Sequence, residues 1–332
     1  MSMRYKGAVI SATPPSTGKF TGASGSWTLM QQLQAEGASV WPLPVNGSLY
    51  VWGKNDVGQL GINQAPLTYS TSPLQVGTSS NTYSPNLATS SFMSLIVKQD
   101  GTLWSTGGNA SGQLGSGTTI DRSSPVQVGA LTNWNKVYLD PVGESVAAIK
   151  QDGSLWTWGR NNDGQLGDST VIDKSSPIQV GTLTNWSQIS QTYYAANQTN
   201  WLALKTDGTL WAWGGNSTGQ LGQSNKTSKS SPVQVGTLTD WTSIATTQYG
   251  SAAIRSGALY VWGANTYGQV GDGTTQARSS PVQIGTLTNW TSVAATDQYT
   301  FLATKTDGTL WGWGVNSYGA IGDGTTQPRS SP

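Results

Sequence analysis

The chain has 332 residues, enough for one large repeat domain or two ordinary ones, and its 42 glycines and 16 tryptophans stand among only 10% charged residues. That mixture suits an all-β protein of tight turns and aromatic anchors, and excludes a disordered chain, which needs few aromatics and a high net charge. A net charge of +1 with no basic run excludes the electrostatic footprint of a nucleic-acid binder, and the lack of cysteine and histidine excludes disulfides, thiolate chemistry and histidine-based triads.

The chain opens on a segment, residues 1 to about 45, that belongs to no repeat. Met1-Ser2-Met3-Arg4-Tyr5-Lys6 has no apolar core or small-residue cleavage site behind it, so no signal peptide is read. No apolar stretch reaches the roughly 20 residues that span a bilayer, so no membrane insertion is expected. Ser11-Ala12-Thr13-Pro14-Pro15-Ser16-Thr17-Gly18 is loop composition. A short helix is expected after it, with Ser26 as N-cap, Trp27, Met30 and Leu33 along one side, and Gly37 past its end. Such a stripe commonly packs locally. As a partner-docking face, its candidate residues are Trp27, Leu29, Leu33 and Trp41.

From residue 46 onward a pattern recurs six times. Its first part is a strand-like run ending in glycine, as in Leu49-Tyr50-Val51-Trp52-Gly53, Leu155-Trp156-Thr157-Trp158-Gly159 and Leu310-Trp311-Gly312-Trp313-Gly314. The closing glycines are 54, 52, 55, 49 and 51 residues apart, the size of one four-stranded propeller blade. Each run is followed by a Gly-Gln-Leu-Gly signature, such as Gly58-Gln59-Leu60-Gly61 or Gly164-Gln165-Leu166-Gly167, which has drifted to Gly319-Ala320-Ile321-Gly322 in the last copy. A Ser-Pro pair and a short strand come next, as in Ser124-Pro125-Val126-Gln127-Val128-Gly129. A lone tryptophan follows in four copies, Trp134, Trp186, Trp241 and Trp290.

These pieces assemble into a blade. Ala147-Ala148-Ile149-Lys150 leads through Asp152-Gly153 into the tryptophan run, and Asp100-Gly101, Asp207-Gly208 and Asp307-Gly308 repeat the arrangement. A strand, an Asp-Gly pair and a strand predict a hairpin with a type I′ turn; Asn46-Gly47 fits it and Ser256-Gly257 is the weakest copy. Alternation places both indoles of Trp-x-Trp on one face of the strand. Ala147, Ala148 and Ala203 suit a crowded inner strand near the axis, and the leucine of Gly-Gln-Leu-Gly is expected to tuck between blades.

The co-occurrence of the tryptophan-glycine run, Gly-Gln-Leu-Gly and the Asp-Gly hairpin resembles the repeat of the regulator of chromosome condensation family, over residues 46 to 332. The resemblance implies an all-β fold, a seven-bladed β-propeller; six copies are visible, so six or seven blades are expected. The chain enters at a hairpin's second strand and stops at Ser330-Ser331-Pro332, where Val-Gln-Val-Gly is due. A propeller needs its ring closed, so a longer polypeptide is expected, the alternatives being that another chain or the N-terminal segment completes the ring. The family's nucleotide exchange on a small GTPase does not transfer, because the resemblance lies in blade-forming positions.

The N-terminal pattern Arg4-Tyr5-Lys6-Gly7, Ser11-Ala12-Thr13, Trp27-Thr28-Leu29, Gln32-Leu33-Gln34-Ala35 and Trp41-Pro42 is similar to the leader of structural proteins in tailed phages, notably cyanophages. It implies residues 1–45 as an attachment or assembly element that docks on other virion proteins. The propeller, residues 46–332, is then the displayed module, contacting a host-surface glycan or protein through its loops, as a homo-oligomer in the virion. The expected function is therefore a non-enzymatic phage virion protein of a tail fibre or appendage, with no cofactor, metal or nucleic acid. Alternatives are a capsid decoration protein and a bacterial binding or inhibitor module. The tryptophans are read as blade packing before sugar stacking, and the Asp-Gly carboxylates as turn formers before a glycosidase pair. Asp272-Gly273-Thr274-Thr275 and Asp323-Gly324-Thr325-Thr326 lack the ligand series of a calcium loop and are read as turns.

Overall fold

A computed structural model describes residues 49–63, 69–77, 83–140, 142–191, 199–296 and 299–332, in which 21 strands and no helix occur. The expected short helix near Ser26, the Asn46-Gly47 turn and Trp27, Leu29, Leu33 and Trp41 lie outside these residues.

Blade 1 contains β1 (Leu49–Lys54) and β2 (Tyr69–Val76). Blade 2 is β3 (Tyr83–Thr89), β4 (Met93–Lys98), β5 (Leu103–Gly107) and β6 (Arg122–Gln127). Blade 3 is β7 (Trp134–Leu139), β8 (Ser145–Lys150), β9 (Leu155–Gly159) and β10 (Lys174–Gln179). Blade 4 is β11 (Trp186–Gln191), β12 (Asn200–Lys205), β13 (Leu210–Gly214) and β14 (Lys229–Gln234). Blade 5 is β15 (Trp241–Thr246), β16 (Gly250–Arg255), β17 (Ala258–Gly263) and β18 (Arg278–Gln283). Blade 6 contains β19 (Trp290–Ala295), β20 (Thr300–Lys305) and β21 (Leu310–Gly314). Every sheet is an antiparallel meander in chain order, the up-and-down blade of a β-propeller.

The first strands β3, β7, β11, β15 and β19 touch one another from blade to blade, so they lie nearest the axis. The alanines expected there, Ala147, Ala148 and Ala203, instead sit in the second strands β8 and β12. Every residue of those two strands is buried. A second strand is sandwiched on both faces by neighbouring blades, and that crowding is what favours small side chains. The lone tryptophans Trp134, Trp186, Trp241 and Trp290 open the innermost strands.

Among the described residues only one of the predicted type I′ turns forms, and it is the copy with the weakest sequence signal. Ser256 and Gly257 both have positive φ (47° and 75°) in a two-residue loop between Arg255 and Ala258. In the Asp-Gly copies only the glycine is left-handed, as at Gly208 (φ 74°), and Gly208 N–H returns to Lys205 O at 3.0 Å. The loop there holds one more residue, giving a type I turn closed by a left-handed glycine. The aspartate caps it: Asp207 accepts the Thr209 N–H at 3.0 Å and its hydroxyl at 2.6 Å.

The core is divided by seam. One cluster joins Leu103, Leu114 and Val128 of blade 2 to Trp134, Val146 and Trp158 of blade 3. Equivalent clusters lie between blades 3 and 4, 4 and 5, and 5 and 6. Leu114 and Leu221 of Gly-Gln-Leu-Gly, and Val270 in the same place, are fully buried in these clusters, as expected.

Candidate interaction surfaces

Four of the described seams are fastened by the second tryptophan of the run. Trp158 Nε1 donates to Gln113 O of the preceding blade at 2.8 Å, and Trp213 to Gln165 O, Trp262 to Gln220 O and Trp313 to Gln269 O repeat the bond. Blade 2 has Thr106 at this position, and its hydroxyl reaches Gly58 O at 3.0 Å instead. The leading glycine of the first five signatures abuts the next blade's backbone: a Cβ on Gly164 would meet Ser230 Cα at 2.6 Å. Only glycine permits that approach.

An asparagine three residues before that glycine holds the loop and was not singled out from sequence, although it recurs in all six copies. Asn216 Oδ1 accepts the buried Leu221 N–H at 2.9 Å while its Nδ2 donates to Asn225 O and Thr227 O. Asn55, Asn109, Asn161, Asn265 and Asn316 make the same bond to the residue five places on.

The first tryptophans are half-buried packing groups. Trp156 and Trp158 both lie against Trp134, at ring-centroid distances of 6.1 and 5.9 Å, so the two indoles share a face as alternation requires. Trp52, at the second position of the first run, is by contrast 62% exposed. It borders a cavity of about 770 Å³ with Tyr50, Leu87, Phe92 and Ile96, beside a β1 whose described partner is β2 alone. Asp272 and Asp323 are engaged as turn formers: Asp272 takes the Thr274 N–H and hydroxyl and pairs with Arg278 at 2.6 Å.

One end of the ring gathers the loops between first and second strands and the Gly-Gln-Leu-Gly loops. There the composition changes from blade to blade. In blade 3, Glu144 pairs with Arg160. Beside them the buried Asp140 accepts the N–H groups of Gly143, Glu144 and Ser145. Burial pushes the Asp140 carboxyl up against those three bonds. Burial also raises Asp163, opposed by the Thr199 N–H and Arg160. In blades 5 and 6 the equivalent positions are aromatic. Tyr249 stacks on Tyr299 at 5.5 Å between centroids, and Tyr267 meets Tyr299 edge-on at 5.4 Å. Gln248 donates to the Tyr249 hydroxyl at 3.0 Å. Burial, together with the two neighbouring tyrosines, raises the Tyr299 hydroxyl. Tyr267 is 52% exposed, so part of this cluster faces solvent.

Fold and seams thus define a β-propeller of tandem tryptophan-glycine repeats with a variable loop end. Residues 48–332 match the model of the RCC1-like domain, and the chain belongs to that family. It is 32% identical over 192 residues to the ultraviolet-B receptor UVR8 of Arabidopsis thaliana, covering 58% of this chain and 42% of the receptor. It is 30% identical over 181 residues to the probable E3 ubiquitin-protein ligase HERC3 of Homo sapiens, covering 54% of this chain and 17% of the ligase. The chain therefore spans less than half the length of either relative. Among solved structures it resembles human WBSCR16 (TM-score 0.70, 21% identity, 85% of this chain and 75% of that one). It also resembles the crystal structure of Kap60 bound to yeast RCC1 (Prp20) (TM-score 0.67, 21% identity, 87% and 71%). At that identity the likeness shows the fold.

Proposed function

We propose that the chain is a non-enzymatic protein-binding module whose contact surface is the loop end of the propeller, centred on Tyr249, Tyr267 and Tyr299. One observation carries this reading. Seam interiors repeat the same bond in copy after copy, whereas the loop end diverges and exposes aromatic side chains in blades 5 and 6. Exposed tyrosines supply large contact area at low entropic cost and are enriched where proteins meet. The yeast RCC1 structure, solved bound to Kap60, supports a protein partner for this fold.

The finer reading places the module on a phage particle, in the tail or an appendage, with residues 1–45 as the mounting element and Trp27, Leu29, Leu33 and Trp41 as its docking face. The N-terminal resemblance supports it. Two measurements test the two levels. A photo-crosslinking amino acid at position 267 captures a partner that the same group at Thr291 does not; equal capture at both refutes the loop-end surface. Cryo-electron microscopy of particles carrying the gene is expected to show propeller density on the tail. Density on the capsid points to a decoration protein, and bare particles remove the virion reading.

A further inference from the structure

A groove recurs along the seams, lined by the same residue types. Between blades 3 and 4 it measures about 500 Å³ and is bordered by Val180, Leu183, Trp186, Lys205, Trp211 and Pro232. Between blades 5 and 6 it measures about 430 Å³, with Ile284, Leu287, Trp290, Lys305, Trp311 and Pro332 in the equivalent places. Between blades 1 and 2 a groove of about 470 Å³ presents Val76, Lys98, Trp104 and Pro125.

The lysines are unusual. Lys205 and Lys305 are only 4% and 7% exposed, and each ammonium lies 3.6 Å from an indole centroid, of Trp211 and Trp311 respectively. Among the described residues neither ammonium has an ion-pair partner or a hydrogen-bond acceptor. The indole N–H groups of Trp186 and Trp290, in the same grooves, also lack an acceptor. A buried cation normally finds a carboxylate or neutralises. Burial does hold the Lys205 ammonium below its usual range, with Asp207 opposing from a distance.

Blade 5 shows what such a cation takes when a carboxylate is in reach. Arg255 occupies the position of Lys205 and is ion-paired with Asp240, which stands where blades 3, 4 and 6 have Asn133, Asn185 and Asn289. That blade answers its cation from within; the grooves at Lys205 and Lys305 each hold one aspartate, Asp168 and Asp272, but these pair with Lys174 and Arg278 and leave the buried ammonium unanswered. At their rims Leu183 and Leu287 are half exposed.

We propose that the grooves at Lys205 and Lys305 bind acidic peptide segments, a carboxylate on the ammonium and a neighbouring aliphatic side chain against the rim leucine and proline. The proposal rests on the protein-binding reading and names a second surface for it. A peptide is favoured over an anionic sugar because the ammonium already covers an indole face that a sugar ring would stack on, while the leucine and proline are left for an aliphatic group.

The test follows the indole N–H resonances of Trp186 and Trp290 in the full chain as a Glu-Leu repeat peptide is added. Both resonances shift, and the isosteric Gln-Leu peptide binds about tenfold more weakly or worse, as expected for loss of a hydrogen bond to a charged group. Lys205→Met abolishes the shift at Trp186 and spares Trp290, Lys305→Met does the reverse, and Lys205→Arg retains both. Asn185→Asp supplies an internal carboxylate and blocks the Trp186 groove. Equal binding of the Gln-Leu peptide, or no shift with either, overturns the proposal; shifts with oligogalacturonate but not with peptide overturn it in favour of a sugar. Crosslinking at position 267 is read in the same chain. Silent grooves with intact capture sink this inference alone, and loss of capture sinks the reading beneath it.

Discussion

The interior of a seam and the loop end of the same seam are a few residues apart in sequence, yet only the interior repeats. Gln113, Gln165, Gln220 and Gln269 each receive an indole N–H from the next blade. Two residues earlier, at the loop end, stand Ser111, Asp163, Thr218 and Tyr267. The interior is set by geometry that every blade must satisfy, since a buried carbonyl without a donor is costly. Solvent satisfies the loop end, so its side chains are free to differ, and a binding surface is built from that freedom.

The sharpest way to break this contrast is to strike the interior. Trp213→Ala empties a fully buried site and strips Gln165 O of its donor; a loss of about 3–5 kcal/mol is expected from the cavity. Denaturant unfolding measures it. Next comes Asn216→Ala, which leaves Leu221 N–H and the carbonyls of Asn225 and Thr227 without their partner, at about 1–3 kcal/mol for each group that stays buried. A loss well under 1 kcal/mol would mean that water enters the loop and that its interior is not distinct from its surface.

A smaller effect is expected from pH. The carboxyls of Asp100, Asp152, Asp207 and Asp307 are held below the usual aspartate range, first by the hydroxyl of the residue two places on and then by its N–H. A depressed folded pKa contributes stability that is present above the unfolded value near 3.9 and is lost as pH falls through the folded values. The melting temperature should therefore drop in acid, and the gap between wild type and Asp207→Asn should close there. A constant gap would assign the aspartate a purely steric role. Smallest of all is Tyr267→Ala. At a half-exposed position its effect on stability should stay within about 0.5 kcal/mol, while binding of the partner identified by crosslinking is lost. A stability loss like that of Trp213→Ala would make the tyrosine cluster structural and erase the contrast.

Repetition is why so much could be read in advance. Six copies of the tryptophan-glycine run gave the blade, and five clear copies of Gly-Gln-Leu-Gly gave the seam leucine, because each copy meets the same neighbours. The buried asparagine and the lysine two residues before each Asp-Gly pair recur just as regularly. They passed unnoticed because a polar residue in a loop has an ordinary reading until its burial is known. The type I′ turn, expected in every copy, forms at Ser256-Gly257 and not in the described Asp-Gly copies for a related reason. Asp-Gly is the stronger dipeptide signal, but loop length selects the turn, and register becomes visible only when both strands are paired.

By itself the sequence determined the all-β class, the repeat length and the family, since these follow from local patterns that any one blade displays. It could not determine which strand faces the axis, which cations lack a counter-charge or which tyrosines meet. Those depend on residues some fifty positions apart being brought together, as Tyr249 and Tyr299 are, and only the stacking of one blade on the next does that.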